Sequence, residues 1–112
     1  MAQQPSYRTE RVNELVKREL VMLLRKEVND PRLQGVVITD VIASRDLSSA
    51  RVFFSCAESV QKEVSTLLYK ASGFFRTRLS RVLDLRHTPT LSFIYDTAPN
   101  TGARIEDLLS KL

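Results

Sequence analysis

With 112 residues, 43% of them hydrophobic and 27% charged, the chain is long enough for one domain around a single modest core and too short for two. Its apolar runs are only a handful of residues long, which excludes a bilayer-spanning helix, and no charged stretch followed by an apolar one opens it, so neither membrane insertion nor export is expected. The lone cysteine, Cys56, excludes an internal disulfide and fits a reducing cytoplasm, while a net charge of +4 points to an anionic partner, nucleic acid before a membrane surface.

Residues 1–8 are polar and read as a flexible N-terminus preceding one domain over 9–112. From Thr9 the pattern turns helical: Val12, Leu15, Val16, Leu20, Leu23 and Leu24 recur at spacings of three and four and form one apolar stripe. Asp30-Pro31 should end this helix, because a residue before proline is pushed out of the α region. Residues 36–44 (VVITDVIAS) and 51–57 (RVFFSCA) are rich in β-branched residues, and the turn-like Arg45-Asp46-Leu47-Ser48-Ser49 between them predicts an antiparallel hairpin. Helical periodicity returns over 58–71, with Val60, Val64, Leu67, Leu68 and Ala71 on one side; Gly73 interrupts it, and a second helical run continues to about Leu85. Residues 91–96 (LSFIYD) form a short third strand, and a last amphipathic helix after Gly102 is marked by Ile105, Leu108, Leu109 and Leu112.

This order, α-β-β-α-α-β with a short C-terminal helix, predicts an α+β domain. The route from the second strand to the third is long enough for a crossover, so a three-stranded mixed sheet with helices on one face is the simplest closed arrangement.

Nothing in the chain supports catalysis or a cofactor. Phosphate-loop, dinucleotide, serine-elbow and zinc-protease motifs are all absent. His87 is the only histidine and has no partners with which to hold a metal, so no metal site is expected, and capping or RNA contact suits it better than proton transfer. Cys56, after Phe53-Phe54-Ser55 in a strand, reads as a small buried apolar residue. Most of the aromatics read as core; Tyr69 and Phe74-Phe75 are set apart because they flank the glycine break.

The segment 70–87 (KASGFFRTRLSRVLDLRH) carries Lys70, Arg76, Arg78, Arg81 and Arg86 against the single acid Asp84, an excess equal to the net charge of the whole chain. On a helix, Phe75, Leu79, Val82 and Leu83 would face the core, and Arg78 and Arg81, three apart, would lie together on the far side, placed to straddle phosphates. A solvated face is the ordinary fate of a charge run, but here the counter-acids are missing, and arginine's forked donors suit phosphate oxygens. Ala71-Ser72-Gly73 reads either as a plain helix–helix corner, with glycine supplying the turn, or as a corner that also opens backbone N–H groups to phosphate.

Several pieces of the chain together resemble the bacterial ribosome-binding factor A family, small assembly factors of the 30S subunit: Arg11-Val12, Asp30-Pro31-Arg32, Ser44-Arg45-Asp46-Leu47 with Ala50-Arg51-Val52, Ala71-Ser72-Gly73-Phe74-Phe75-Arg76, Leu85-Arg86 with Thr88-Pro89, Leu91-Ser92-Phe93 with Tyr95-Asp96, and Gly102 before Arg104-Ile105. The resemblance runs from about Arg8 to Leu109. It implies a type II KH-like fold in which an Ala-x-Gly helical kink replaces the usual GXXG loop. It also implies binding to 16S rRNA in the free 30S subunit, support of late maturation and of pre-16S rRNA processing, and a part in cold adaptation. Assembly GTPases are implied among the partners. By matching motif, Ser72, Gly73, Arg76, Arg78, Arg81 and Arg86 are the expected RNA contacts, with Lys70 added from its charge. Some members of the family carry a longer charged C-terminal tail, and a role that depends on one is not expected of a chain ending at Leu112.

The combined expectation is a non-enzymatic, monomeric, cytoplasmic RNA-binding protein of ribosome biogenesis. A general RNA-binding module without ribosome preference, and a protein-interaction domain using the same basic face, are the alternatives.

Overall fold

A computed structural model describes residues 7–97. The elements follow in the order α1 (Tyr7–Lys26), β1 (Val37–Ala43), β2 (Ser49–Ser55), α2 (Gln61–Lys70), α3 (Ser72–Leu79) and β3 (Thr90–Tyr95), with single 3₁₀ turns at Pro31–Leu33 and Glu58–Val60. This is the expected α+β order. The C-terminal helix anticipated after Gly102 lies outside the described residues, as do residues 1–6 of the N-terminal segment expected over 1–8; α1 already includes Tyr7 and Arg8, so the helix starts two residues before Thr9.

The sheet runs β1-β2-β3, antiparallel between β1 and β2 and parallel between β2 and β3. Three cross-sheet rows carry one side of the core: Ile38–Phe54–Tyr95, Val41–Val52–Phe93 and Ala43–Ala50–Leu91. Onto them pack Val12, Val16, Leu20, Leu23 and Leu24 of α1, Val64 and Leu68 of α2, and Phe75 and Leu79 of α3. Because strand side chains alternate, the residues between these rows point to the opposite face. Phe53 alternates away from the core rows yet is itself buried.

The register shifts between Ile38 and Asp40, where Thr39 forms a bulge. The displaced Thr39 hydroxyl donates to Asp96 Oδ2 at 2.8 Å, and its carbonyl accepts from Lys17 Nζ of α1 at 3.3 Å. Re-aiming a side chain is what a bulge does, and here it ties the far end of the sheet to the helix layer.

α1 stops four residues earlier than Asp30-Pro31 alone would require. Its last turn widens, with the Leu23 carbonyl accepting from both Glu27 and Val28 N–H. The released residues let Asp30 take an extended conformation and cap the 3₁₀ turn that follows, accepting from Arg32 N–H at 3.0 Å. Arg32 then forks onto Asp30 (2.9 and 2.7 Å) and reaches Glu63 of α2 at 2.8 Å. The Arg32 hydrogen bonds hold the Asp30 carboxyl below the usual carboxylate range. Asp30-Pro31-Arg32 thus caps the turn that follows α1 and links it to the first turn of α2.

The candidate nucleic-acid interface

α2 and α3 are almost one helix. The break is a single residue, Ala71, with φ −85° and ψ −1°. Helical bonds persist on either side of it, from Ala71 N–H to Leu67 O and from Phe75 N–H to Ala71 O, both 3.0 Å. Two hydroxyls donate back along the helix, Ser72 Oγ to Leu68 O at 3.3 Å and Thr77 Oγ1 to Gly73 O at 2.9 Å, a pattern that bends helices. Gly73 therefore does not supply the corner: it sits inside α3 with φ in the ordinary negative range. A methyl group built on it would meet no atom of the described residues within 4 Å apart from its chain neighbours and its own helix backbone. Neither backbone strain nor packing within the described residues requires glycine at this position.

Val64, Leu68, Phe75 and Leu79 carry one buried stripe across the break. On the outside Tyr69, Lys70, Gly73, Phe74, Arg76 and Thr77 are exposed, and Ser72 is half-buried.

The second helical run ends at Leu79 rather than near Leu85. Past it the chain tightens, with Arg81 N–H bonded to Arg78 O at 3.1 Å and Val82 N–H to Leu79 O at 3.0 Å. These i→i−3 bonds rotate Val82 outward, to 43% exposure, while Leu83 still reaches the core at 6%. Arg81 and Arg86 accordingly stand on an irregular segment and not on a helix face shared with Arg78, and His87 lies in a bend.

The five cations differ in what they do. Arg76 donates from Nε to Pro89 O at 3.1 Å and from Nη2 to Thr88 O at 2.9 Å, clamping the entry to β3. Arg78 pairs with Glu27 at the end of α1 and stands 5.5 Å from the centre of the Phe74 ring. Lys70, Arg81 and Arg86 are exposed and make no ion pair among the described residues.

Tertiary packing adds two cations that the local reading did not include. The turn at 82–85 lies against the N-terminal half of α1, leaving a cleft of about 250 Å³ between Arg8, Arg11 and Leu15 on one side and Val82, Asp84 and Leu85 on the other. Arg8 and Arg11 therefore extend the basic surface beyond residues 70–86. Their charge was visible in the sequence, but their approach to the 82–85 turn depends on how α1 crosses the fold.

Among the described residues no group of three or more His, Cys, Asp or Glu side chains is placed to hold a metal ion, and no helix is long and apolar enough to cross a membrane. Cys56 is half-buried and its thiol is pushed up by burial, away from the reactive thiolate.

Comparison with known proteins gives matches over most of the chain. The family model described as Ribosome-binding factor A matches residues 8–109, which include the whole of the kinked-helix region. The chain is 62% identical over 112 residues to the Ribosome-binding factor A of Ruthia magnifica subsp. Calyptogena magnifica, covering all of both chains. It is 38% identical over 109 residues to that of Desulforamulus reducens, covering 96% of this chain and 91% of the relative. Among solved structures, the crystal structure of ribosome-binding factor A from Thermus thermophilus superposes with a TM-score of 0.71 at 23% identity, over 78% of this chain and 93% of that one. Coordinates of a homology model of the Thermus thermophilus factor, as fitted into the cryo-EM map of a 30S complex, give a TM-score of 0.58 at 21% identity, over 80% of this chain and 91% of that one. At these identities the two structures establish a shared fold.

Proposed function

The chain belongs to the ribosome-binding factor A family, and from that premise we propose that it binds 16S rRNA in the free 30S subunit through the kinked-helix surface. In this reading it is a non-enzymatic, monomeric, cytoplasmic factor with a KH-like fold. It assists late small-subunit maturation and pre-16S rRNA processing, including during growth in the cold, and assembly GTPases are among its partners. The observation that carries the reading is that Lys70, Arg81 and Arg86, at the end of α2 and past the end of α3, are exposed and without ion pairs among the described residues, while the space over Gly73 is open. Paired surface charges would be spent within the protein; cations without acids are available to phosphates.

The mechanism is electrostatic docking. Lys70, Arg81 and Arg86, joined by Arg8 and Arg11 across the 82–85 cleft, meet the rRNA backbone and displace its condensed counterions. Gly73 lets the backbone come close to α3, and Ser72 adds a hydroxyl beside the break. Selectivity then comes from the shape of the folded RNA in the particle, because phosphate contacts carry no sequence information.

Co-sedimentation of the purified protein with isolated 30S, 50S and 70S particles across a salt series tests this. The expected result is selective 30S binding that weakens with salt. Equal binding to all three particles would favour a general RNA module. Partners retained after nuclease treatment of a pull-down would favour a protein-interaction domain.

A further inference from the structure

Among the described residues Tyr69 takes no part in holding the fold. It stands in the last turn of α2 at 78% exposure, the highest among the exposed large hydrophobic side chains of the described residues. Neither its ring nor its hydroxyl has a partner among the described residues; the aromatic pairs there are Phe54–Tyr95, Phe74–Phe75 and Phe75–Phe93. For helix formation alone a tyrosine here is inferior to alanine, lysine or glutamate, and its apolar area gains nothing in water.

Its surroundings indicate what would cover it. Lys70 follows immediately and is exposed. Gly73, four residues on across the break, presents no side chain, and the space over it is open. Phe74, the other exposed ring near the break, is already engaged, with Phe75 at 5.8 Å and the Arg78 guanidinium at 5.5 Å from its centre. Tyr69 is therefore the ring with a face still to offer, and it stands at the edge of a surface whose charge selects a polyanion.

We propose that Tyr69 is a stacking platform for an unpaired nucleobase, so that the kinked-helix surface takes single-stranded RNA there, with Lys70 meeting the adjacent phosphate. This deepens the RNA-binding reading and rests on it. A phosphate chain alone would call for cations and no ring. A base within an A-form duplex is stacked on both sides and offers no face, whereas an unpaired base does.

The test uses a short fluorescein-labelled oligoadenylate and an abasic strand of equal length and charge, titrated with the wild-type chain and with Tyr69→Ala, Tyr69→Phe and Tyr69→Trp. Tyr69→Ala is expected to weaken oligoadenylate binding roughly fivefold or more while leaving the abasic strand and the salt slope unchanged. Tyr69→Phe should retain affinity. The chain has no tryptophan, so in Tyr69→Trp a single indole reports stacking: its emission should be quenched by oligoadenylate and not by the abasic strand. Equal losses on both strands, or no loss on either, would overturn the stacking role while the RNA reading survives on the wild-type binding curves. Loss of 30S binding with both strands unaffected would mark Tyr69 as a protein contact and also overturn the proposal. Absence of wild-type binding to either strand at low salt would remove both readings together.

Discussion

At the scale of single residues the kinked-helix surface separates groups that hold the fold from groups that are available to a ligand. Gly73 illustrates the second kind. It lies in a helix with no neighbour over its α-carbon, so Gly73→Ala should stabilise the free protein by roughly 0.5 kcal/mol, through a smaller entropy loss on folding. If the open space is where RNA approaches, the same methyl should weaken 30S binding. Thermal denaturation and sedimentation on one preparation check both signs, and a more stable protein with unchanged binding would remove Gly73 from the interface. Arg76 illustrates the first kind. Its two bonds to Thr88 and Pro89 carbonyls tether the chain entering β3, so Arg76→Ala should cost roughly 1–2 kcal/mol in urea unfolding. Arg76→Lys keeps the charge but not the fork. It should therefore lower stability while leaving the salt dependence of binding intact, whereas Arg81→Lys should change neither.

At the scale of elements the hairpin turn between β1 and β2 shows how a short sequence fixes a register. Ser44 N–H donates to Ser49 O at 2.8 Å, and Asp46 Oδ1 gathers the Ser44 and Ser48 hydroxyls at 2.8 Å each and Ser48 N–H at 3.1 Å. These bonds, Ser48 foremost, pull the Asp46 carboxyl down to about 2 from an ordinary 3.8. The carboxylate is the form favoured by folding, so its contribution is present above the ordinary value and fades as pH falls toward 2. The wild-type chain should accordingly lose more of its urea midpoint than Asp46→Asn between about pH 5 and about pH 2, and parallel losses would refute the coupling. Beside Asp46, Leu47 sits at φ +61°, the left-handed region, while its side chain is buried in the core. Leu47→Gly removes the same packing as Leu47→Ala but relieves the backbone, so it should be the milder change by about 1 kcal/mol, the reverse of the usual order. The sequence already carried much of this level: the element order, the hairpin and the stripe through Val64, Leu68, Phe75 and Leu79 all follow from periodicity. It misplaced the corner onto Gly73, because a glycine in a helical run resembles a break and an alanine does not. It also extended α3 to Leu85, because Leu83 keeps helical spacing even after the backbone has tightened into i→i−3 turns.

At the scale of the whole molecule the question is how much of the positive charge is free to act. Counting charges along residues 70–87 treats Arg78 and Arg81 as equals, and only the folded chain brings Glu27, from the far end of α1, against Arg78. That pairing was not legible locally, for the same reason that Arg8 and Arg11 were not joined to the site: each depends on the path of α1 across the layer. The distinction has a measurable consequence. In 30S binding, Arg81→Ala should reduce the log–log salt slope by about one. Arg78→Ala should reduce it by less, because a guanidinium already facing a carboxylate releases fewer counterions from RNA. Glu27→Gln frees that guanidinium and removes a repulsive charge, so it should tighten binding and steepen the slope by up to about one. A surface pair of this exposure contributes only about 0–1 kcal/mol to folding, so the substitution should leave stability nearly unchanged. Weaker binding by Glu27→Gln would mean that Glu27 serves the interface by orienting Arg78 and not by competing for it, and unchanged binding would place the end of α1 outside the contact surface.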